Sequence, residues 1–379
     1  MDKVIVEDWL KFYSIKNYTI NEDLSVDVAG DVNISSKSLS IIPIKFRNIG
    51  GYFYCDFNQL ASLDGCPIKV SGDCDFSHNS LVSICGSPEE VGGYFDCSYN
   101  DIANLDSCLK EVVGHFYCHN NKLTNLVGSP EKVLGDFYCY GNNLTSLAGC
   151  PVEVGGDFYC YGNQLSNLFG CAVSVGNSFY CHNNKLTILL GCPSVVAGSF
   201  YCDMNCLTSL EGCPVSVGGG FYCYDNKLIS LVGCPIDVKG FNCNSNSLVS
   251  LLGCPIRVEG SFSCNGNKLL NLEGCPIKVG GDFACSSNKL TTLVGCPISV
   301  SDNFNCNSNE LISFDNCPEY IGGLFNRGDN KISDSELFLY NCSSEQVRIY
   351  YKNKTLNEDL RVLFTEETEQ PSKLIKLLL

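Results

Sequence analysis

Residues 279–295 read Val-Gly-Gly-Asp-Phe-Ala-Cys-Ser-Ser-Asn-Lys-Leu-Thr-Thr-Leu-Val-Gly and run into Cys296-Pro297. Phe283 and Cys285 stand two apart, the alternation of a strand. Asn288 follows three residues after the cysteine, and Leu290 and Leu293 lie on the return path. The pair Gly280-Gly281 is read as a tight bend into the strand, since glycine carries no Cβ. Pro297 fits an extended stretch that donates nothing to a ladder.

The same sentence is written along most of the chain. Asparagines recur at Asn58, Asn79, Asn100, Asn121, Asn142, Asn163, Asn184, Asn205, Asn226, Asn246, Asn267, Asn288, Asn309 and Asn330. The step is 21 residues except between Asn226 and Asn246, where it is 20. A period of this size marks a solenoid whose coils complete one another's core. A buried amide repeated this often must be hydrogen-bonded; stacked asparagines are expected to satisfy turn backbone groups and bridge successive coils.

Cysteines follow the same period. One row runs from Cys55 through Cys139 and Cys160 to Cys306; a second, from Cys66 to Cys317, mostly precedes the prolines. Aligned side chains on strands about 4.8 Å apart do not offer the facing geometry of a disulfide. Only Cys202 and Cys206 approach the local spacing of a zinc pair. The rows are read as free thiols packing as small apolar residues, which calls for a reducing compartment.

These residues resemble a leucine-rich repeat. In Tyr138–Leu147, with Phe137 and Cys139 at the strand leucines, Asn142 and Leu144 fall on the family's asparagine and next leucine. The short period is similar to the repeats of bacterial effectors, and the Gly-Gly, Phe-x-Cys and Gly-Cys-Pro signature to arrays of large tailed phages. The resemblance implies a leucine-rich-repeat solenoid with one parallel sheet on its concave face, short extended or turn-like convex segments, and a cap at each end. Some effector relatives carry a ubiquitin-ligase domain after the repeats; no Cys-x-Asp follows residue 330 here, and that activity is not carried over. In the second repeat Cys74 and Phe76 exchange places, and in the last Arg327 replaces the cysteine, as expected of a terminal coil facing water.

Three regions are expected: a cap at 1–49, about fourteen coils over 50–330, and a helical cap and tail at 331–379. In the first, residues 7–14 suit a short amphipathic helix with acids in its first turn, strand-like segments follow, and Lys37 takes the asparagine position of a degenerate coil. In the last, Ser333-x-x-Glu336 and Ser343-x-x-Gln346 are capping boxes, residues 357–367 suit a further helix, and Pro371 opens a basic, apolar tail. Either these helices simply cover the last coil, or Leu374 to Leu379 form a docking or dimerisation segment. Neither a signal peptide nor a membrane span is expected.

The formal charge is −16, almost all of it on the repeats. This repels a phosphate backbone and favours a basic or neutral protein partner over nucleic acid. If Phe and Cys point inward, the residues beside them point outward. In the middle coils these are Tyr117, His119, Tyr138, Tyr140, Tyr159, Tyr161, Tyr180, His182, Tyr201, Asp203, Tyr222 and Tyr224. After Asn226 small polar residues replace them. Tyrosine combines contact area, few rotors and a polar tip, which suits a binding surface. Stacked tyrosines also brace a parallel sheet without any partner, so both readings stand. Asp136, Asp157, Asp203 and Asp225 flank the rings, and acid beside tyrosine suits a cationic group. The expected function is a non-enzymatic protein-binding scaffold in the cytoplasm of a host or bacterium, with no cofactor and no metal. The alternative is a receptor for a small molecule, nucleotide or glycan on the same aromatic surface.

Overall fold

The Phe-x-Cys alternation builds a strand of only two or three residues per coil, and the next coil repeats it in register. In the computed structural model, which describes residues 2–366 except 107, 108, 173, 334, 337, 338 and 340–342, fifteen such strands form one parallel sheet from Val32–Asn33 to Phe325–Asn326. Phe137 pairs with Phe158 and Tyr138 with Tyr159, and the pattern repeats on either side. Phe137, Phe158 and Phe179 are fully buried, with ring centroids 5.3 and 5.2 Å apart. Each such side chain contributes about 2–3 kcal/mol by burial, which no isolated coil could collect.

The structure adds a second parallel ladder at the Val positions, as in Lys132–Val133 against Glu153–Val154. It comes in three pieces, with breaks between Val91 and Glu111 and between Val217 and Asp237. The latter break sits where the period drops to 20. Two residues lie between Val238 and Phe241, where three lie between Val217 and Phe221, so the missing residue comes from the bend into the main sheet.

The asparagines do the bridging their recurrence implied. Asn142 donates to the carbonyls of Cys118 in the preceding coil (3.0 Å) and Cys139 in its own (3.1 Å). Its Oδ1 accepts from Leu123 N (3.1 Å) and Asn121 N (3.2 Å). Every described cysteine is a free thiol. The first row is buried, and burial pushes thiols such as Cys139 and Cys160 well above their ordinary range. Second-row thiols such as Cys192 and Cys275 donate to the next coil's carbonyl, Gly212 O at 2.8 Å and Gly295 O at 2.9 Å. Cys74 takes the Phe place beside Phe53, so the exchange with Phe76 is accommodated in register.

The Gly-Gly pair makes the expected bend into the strand, and the absent Cβ has a second use there. The pair's backbone is not left-handed; instead a Cβ on Gly280 would fall on the Glu259 carbonyl oxygen, so glycine is there to let coils approach. The left-handed glycine is that of Gly-Cys-Pro, with Gly295 at φ +84°.

Both ends are closed. Helix α1 spans Lys3–Phe12, four residues ahead of expectation, because Asp2 caps it by accepting from Val4 N and Ile5 N. Glu7 and Asp8 therefore lie mid-helix rather than in the first turn. Val6 and Leu10 are buried and Trp9 meets Phe46 edge-on. Strands β1 (Tyr18–Ile20) and β2 (Ser25–Val28) form an antiparallel hairpin that starts the second ladder. At the other end Ser343 and Gln346 make the expected capping box. They open α2, Ser344–Glu366, one helix running through the residues read as a separate element. Glu336 does not box Ser333; its buried carboxylate accepts from Tyr350 (3.1 Å), Tyr351 (3.2 Å) and Lys354 (2.9 Å). Arg327 does not face water: it is 3 % exposed, its guanidinium 4.1 Å from the Phe325 ring centroid. The segment 371–379 lies outside the described residues. No helix among the described residues is long and apolar enough to cross a membrane.

Candidate functional site

Because Phe and Cys point into the coil, the intervening residues line the opposite face of the main sheet, and in-register pairing stacks them. Tyr117, Tyr138, Tyr159, Tyr180, Tyr201 and Tyr222 form one column with successive centroids 4.6, 4.4, 4.5, 4.5 and 4.6 Å apart. His119, Tyr140, Tyr161 and His182 form a second at 4.4, 4.6 and 4.5 Å. The columns meet edge to face, as Tyr159 and Tyr161 do at 6.5 Å and 78°, the arrangement that ring quadrupoles favour. The second column runs on through Asp203 to Tyr224. The sheet thus brings all twelve residues singled out in the sequence onto one surface.

They are less open than outward placement alone suggested. The tyrosines are half-buried by their neighbours, His119 is 8 % exposed and Asp203 2 % exposed. Burial raises the proton affinity of phenols such as Tyr138 and Tyr159, lifts Tyr140 to about 12, and drops His119 to about 4. Burial also holds His182 below and Asp203 above their ordinary ranges, with each opposing the other's shift. At neutral pH the tyrosine and histidine rings of the two columns are therefore uncharged. His119 Nδ1, His182 Nδ1 and Asp203 Oδ1 are buried without a hydrogen-bond partner.

The flanking acids have work inside the solenoid. Asp136 accepts from Asp157 N (2.7 Å) in the next coil and from the Tyr138 hydroxyl (3.0 Å). Asp157 does the same with Ser178 N (2.7 Å) and Tyr159 (2.8 Å). They pin the rings and extend the coil-to-coil ladder, so they are not free anions awaiting a cation.

The aromatic surface also reaches further toward the N-terminus. Phe57, His78 and Tyr99 stack at 4.2 and 4.3 Å on the turn after the strand, and Tyr99 meets His119 at 5.3 Å. The signal was the same 21-residue offset, two positions after the cysteine or, for His78, after Phe76 in its place. From Asp31 to Ser308 no strand, from the residue before the inward pair to the turn residue after it, contains Lys or Arg. Among the described residues, no three His, Cys, Asp or Glu side chains gather as a metal site.

No protein-family model and no curated protein matches the sequence. Solved structures do. YopM from Yersinia enterocolitica WA-314 is similar at 16% identity over 81% of this chain and 77% of that one, with a TM-score of 0.59. YopM from Yersinia pestis, a leucine-rich effector protein, is similar at 19% identity over 79% and 88%, TM-score 0.50. The leucine-rich repeat domain of APL1B is similar at 13% identity over 80% and 89%, TM-score 0.53. Identity this low speaks to architecture, and the architecture agrees with the in-register Phe and Asn ladders. The chain has the fold of a leucine-rich-repeat protein, in a short form with 21 residues per coil.

Proposed function

We propose that the protein is a non-enzymatic binding scaffold that docks another protein on the aromatic face of its main sheet. Residues 50–330 act as the recognition array, closed by caps at 1–49 and 331–379. The observation that carries this is the pair of ordered ring columns on strands without Lys or Arg. Rigid rings lose little entropy on binding and offer broad contact area. With a formal charge of −16, the chain favours a basic or neutral partner surface over nucleic acid. Free thiols in both rows support a reducing cytoplasm. YopM from Yersinia pestis is described as an effector protein; a similar action on a host factor is the sharper form of the same reading.

The test is a triple substitution of Tyr138, Tyr159 and Tyr180 to Ser, with partner capture followed by affinity purification and mass spectrometry. Capture by the parent chain and its loss in a variant of native circular dichroism is the expected result. A variant that folds and still captures the same protein would remove the aromatic face from the account. Capture of a free nucleotide or oligosaccharide in calorimetry, with no protein partner, would favour the small-ligand alternative.

A further inference from the structure

The first ring column ends abruptly. One face of Tyr222 is stacked on Tyr201 at 4.6 Å, and its opposite face meets no ring among the described residues, because Asn242 holds the next rung. The stop coincides with the short coil. Ahead of each strand the column is walled by a side chain such as Asp136, Asp157, Ser178 or Ser199, but here the wall is Gly220 and then Gly240. Glycine at 220 is required, since a Cβ there would run into the Tyr222 ring. At Gly240 a Cβ would meet only the Tyr222 hydroxyl at 3.6 Å and Ser261 O at 3.8 Å, so the space is open. Together these residues, with Lys239 at one side and Ser263 on the floor, leave a cleft of about 460 Å³.

We propose that this cleft receives one aromatic side chain of the protein partner, which adds the next ring to the column. This rests on the reading above that the face docks a protein. The side-chain oxygens of the serines and of Asn242 around the cleft already accept hydrogen bonds from the solenoid. Ser199 Oγ accepts from Gly220 N, Ser261 Oγ from Asp282 N, and Asn242 Oδ1 from Asn244 N. Ser263 Oγ donates to Asn244 Oδ1 and accepts from Asn265. A sugar needs several free acceptors for its own hydroxyls, and the acceptors here are largely spent on the solenoid's own ladders. A nucleotide brings phosphate to an acidic chain. Beside the donors of Lys239 and Asn242, the cleft offers one phenol face, two glycine backbones and a gap one rung deep, the complement of a flat ring with a polar edge.

The probe is N-acetyl-tryptophanamide, titrated into the full chain while the Ser263 backbone amide is followed by NMR. Asn242→Tyr fills the rung with the residue this column uses elsewhere, and Gly240→Leu fills the same space from the wall if the first variant misfolds. The expected result is saturable movement of the Ser263 signal in the parent, at least tenfold weaker in either folded variant. Methyl glucoside and adenosine should leave the signal in place. No saturable response in the parent, an equal response in the variants, or a stronger response to methyl glucoside or adenosine would overturn the proposal. Such a failure is distinguishable from failure of the docking face, which is read from Tyr138, Tyr159 and Tyr180 in other coils.

Discussion

Replacing Asn163 with Ala isolates the bond network that joins coils. The amide is 4 % exposed. Its nitrogen donates to Cys139 O (3.1 Å), Cys160 O (3.1 Å) and Tyr161 O (3.3 Å), and its oxygen accepts from Leu144 N and Asn142 N, both at 3.1 Å. Alanine leaves two buried N–H groups without that acceptor. Each orphaned donor costs about 1–3 kcal/mol, while under-satisfied carbonyls cost less, so about 3 kcal/mol is a reasonable central figure. A solenoid of this length need not unfold in two states, so a single midpoint is the wrong readout. Native-state hydrogen exchange at Leu144 and Asn142 is the right one. At about 1.4 kcal/mol per factor of ten, those amides should exchange roughly a hundredfold faster, with smaller effects several coils away. Cys160→Ala serves as the control, since it shortens a neighbouring side chain without taking an acceptor from either amide. Exchange unchanged within a factor of three, or a change no larger than in the control, would refute the claim that the asparagine row holds the coils together.

Asp96 supplies a pH test. Burial, with Asp75 adding to it, raises its carboxyl to about 7. A raised folded value means the stabilising proton is fully held below about pH 4 and is lost as pH climbs through 7. Asp96→Asn should therefore match the parent near pH 4 and melt progressively higher than it toward pH 8; a constant difference across that range would exclude the account. For the thiols, brief labelling of the native protein with a maleimide should modify exposed Cys85 first and leave first-row Cys139 and Cys160 untouched until denaturant is added. Mass spectrometry showing those two labelled as fast as Cys85 would place them outside the core.

The division between sequence and structure follows from what a period can encode. A repeat of 21 residues, with Phe and Cys two apart and Asn three further on, determines by itself that coils stack in register, because only stacking satisfies the amides and buries the rings. It therefore also determines that Tyr138, Tyr159 and Tyr180 share a column. It does not say how a side chain divides its bonds between its own coil and the next. Asp136 and Asp157 read as open acids, and only neighbouring coils showed their oxygens accepting from backbone and phenol. The ends lie outside the period altogether: Arg327 is buried against Phe325, and Glu336 turns to α2, because what covers a terminal coil is chosen by residues with no repeat to betray them. The skipped residue before Phe241 was visible as a 20-residue step. That Tyr222 would stand beside an open cleft was decided in three dimensions, where Gly220 and Gly240 supply no wall and Asn242 no ring on the next rung of a ladder fixed by its neighbours.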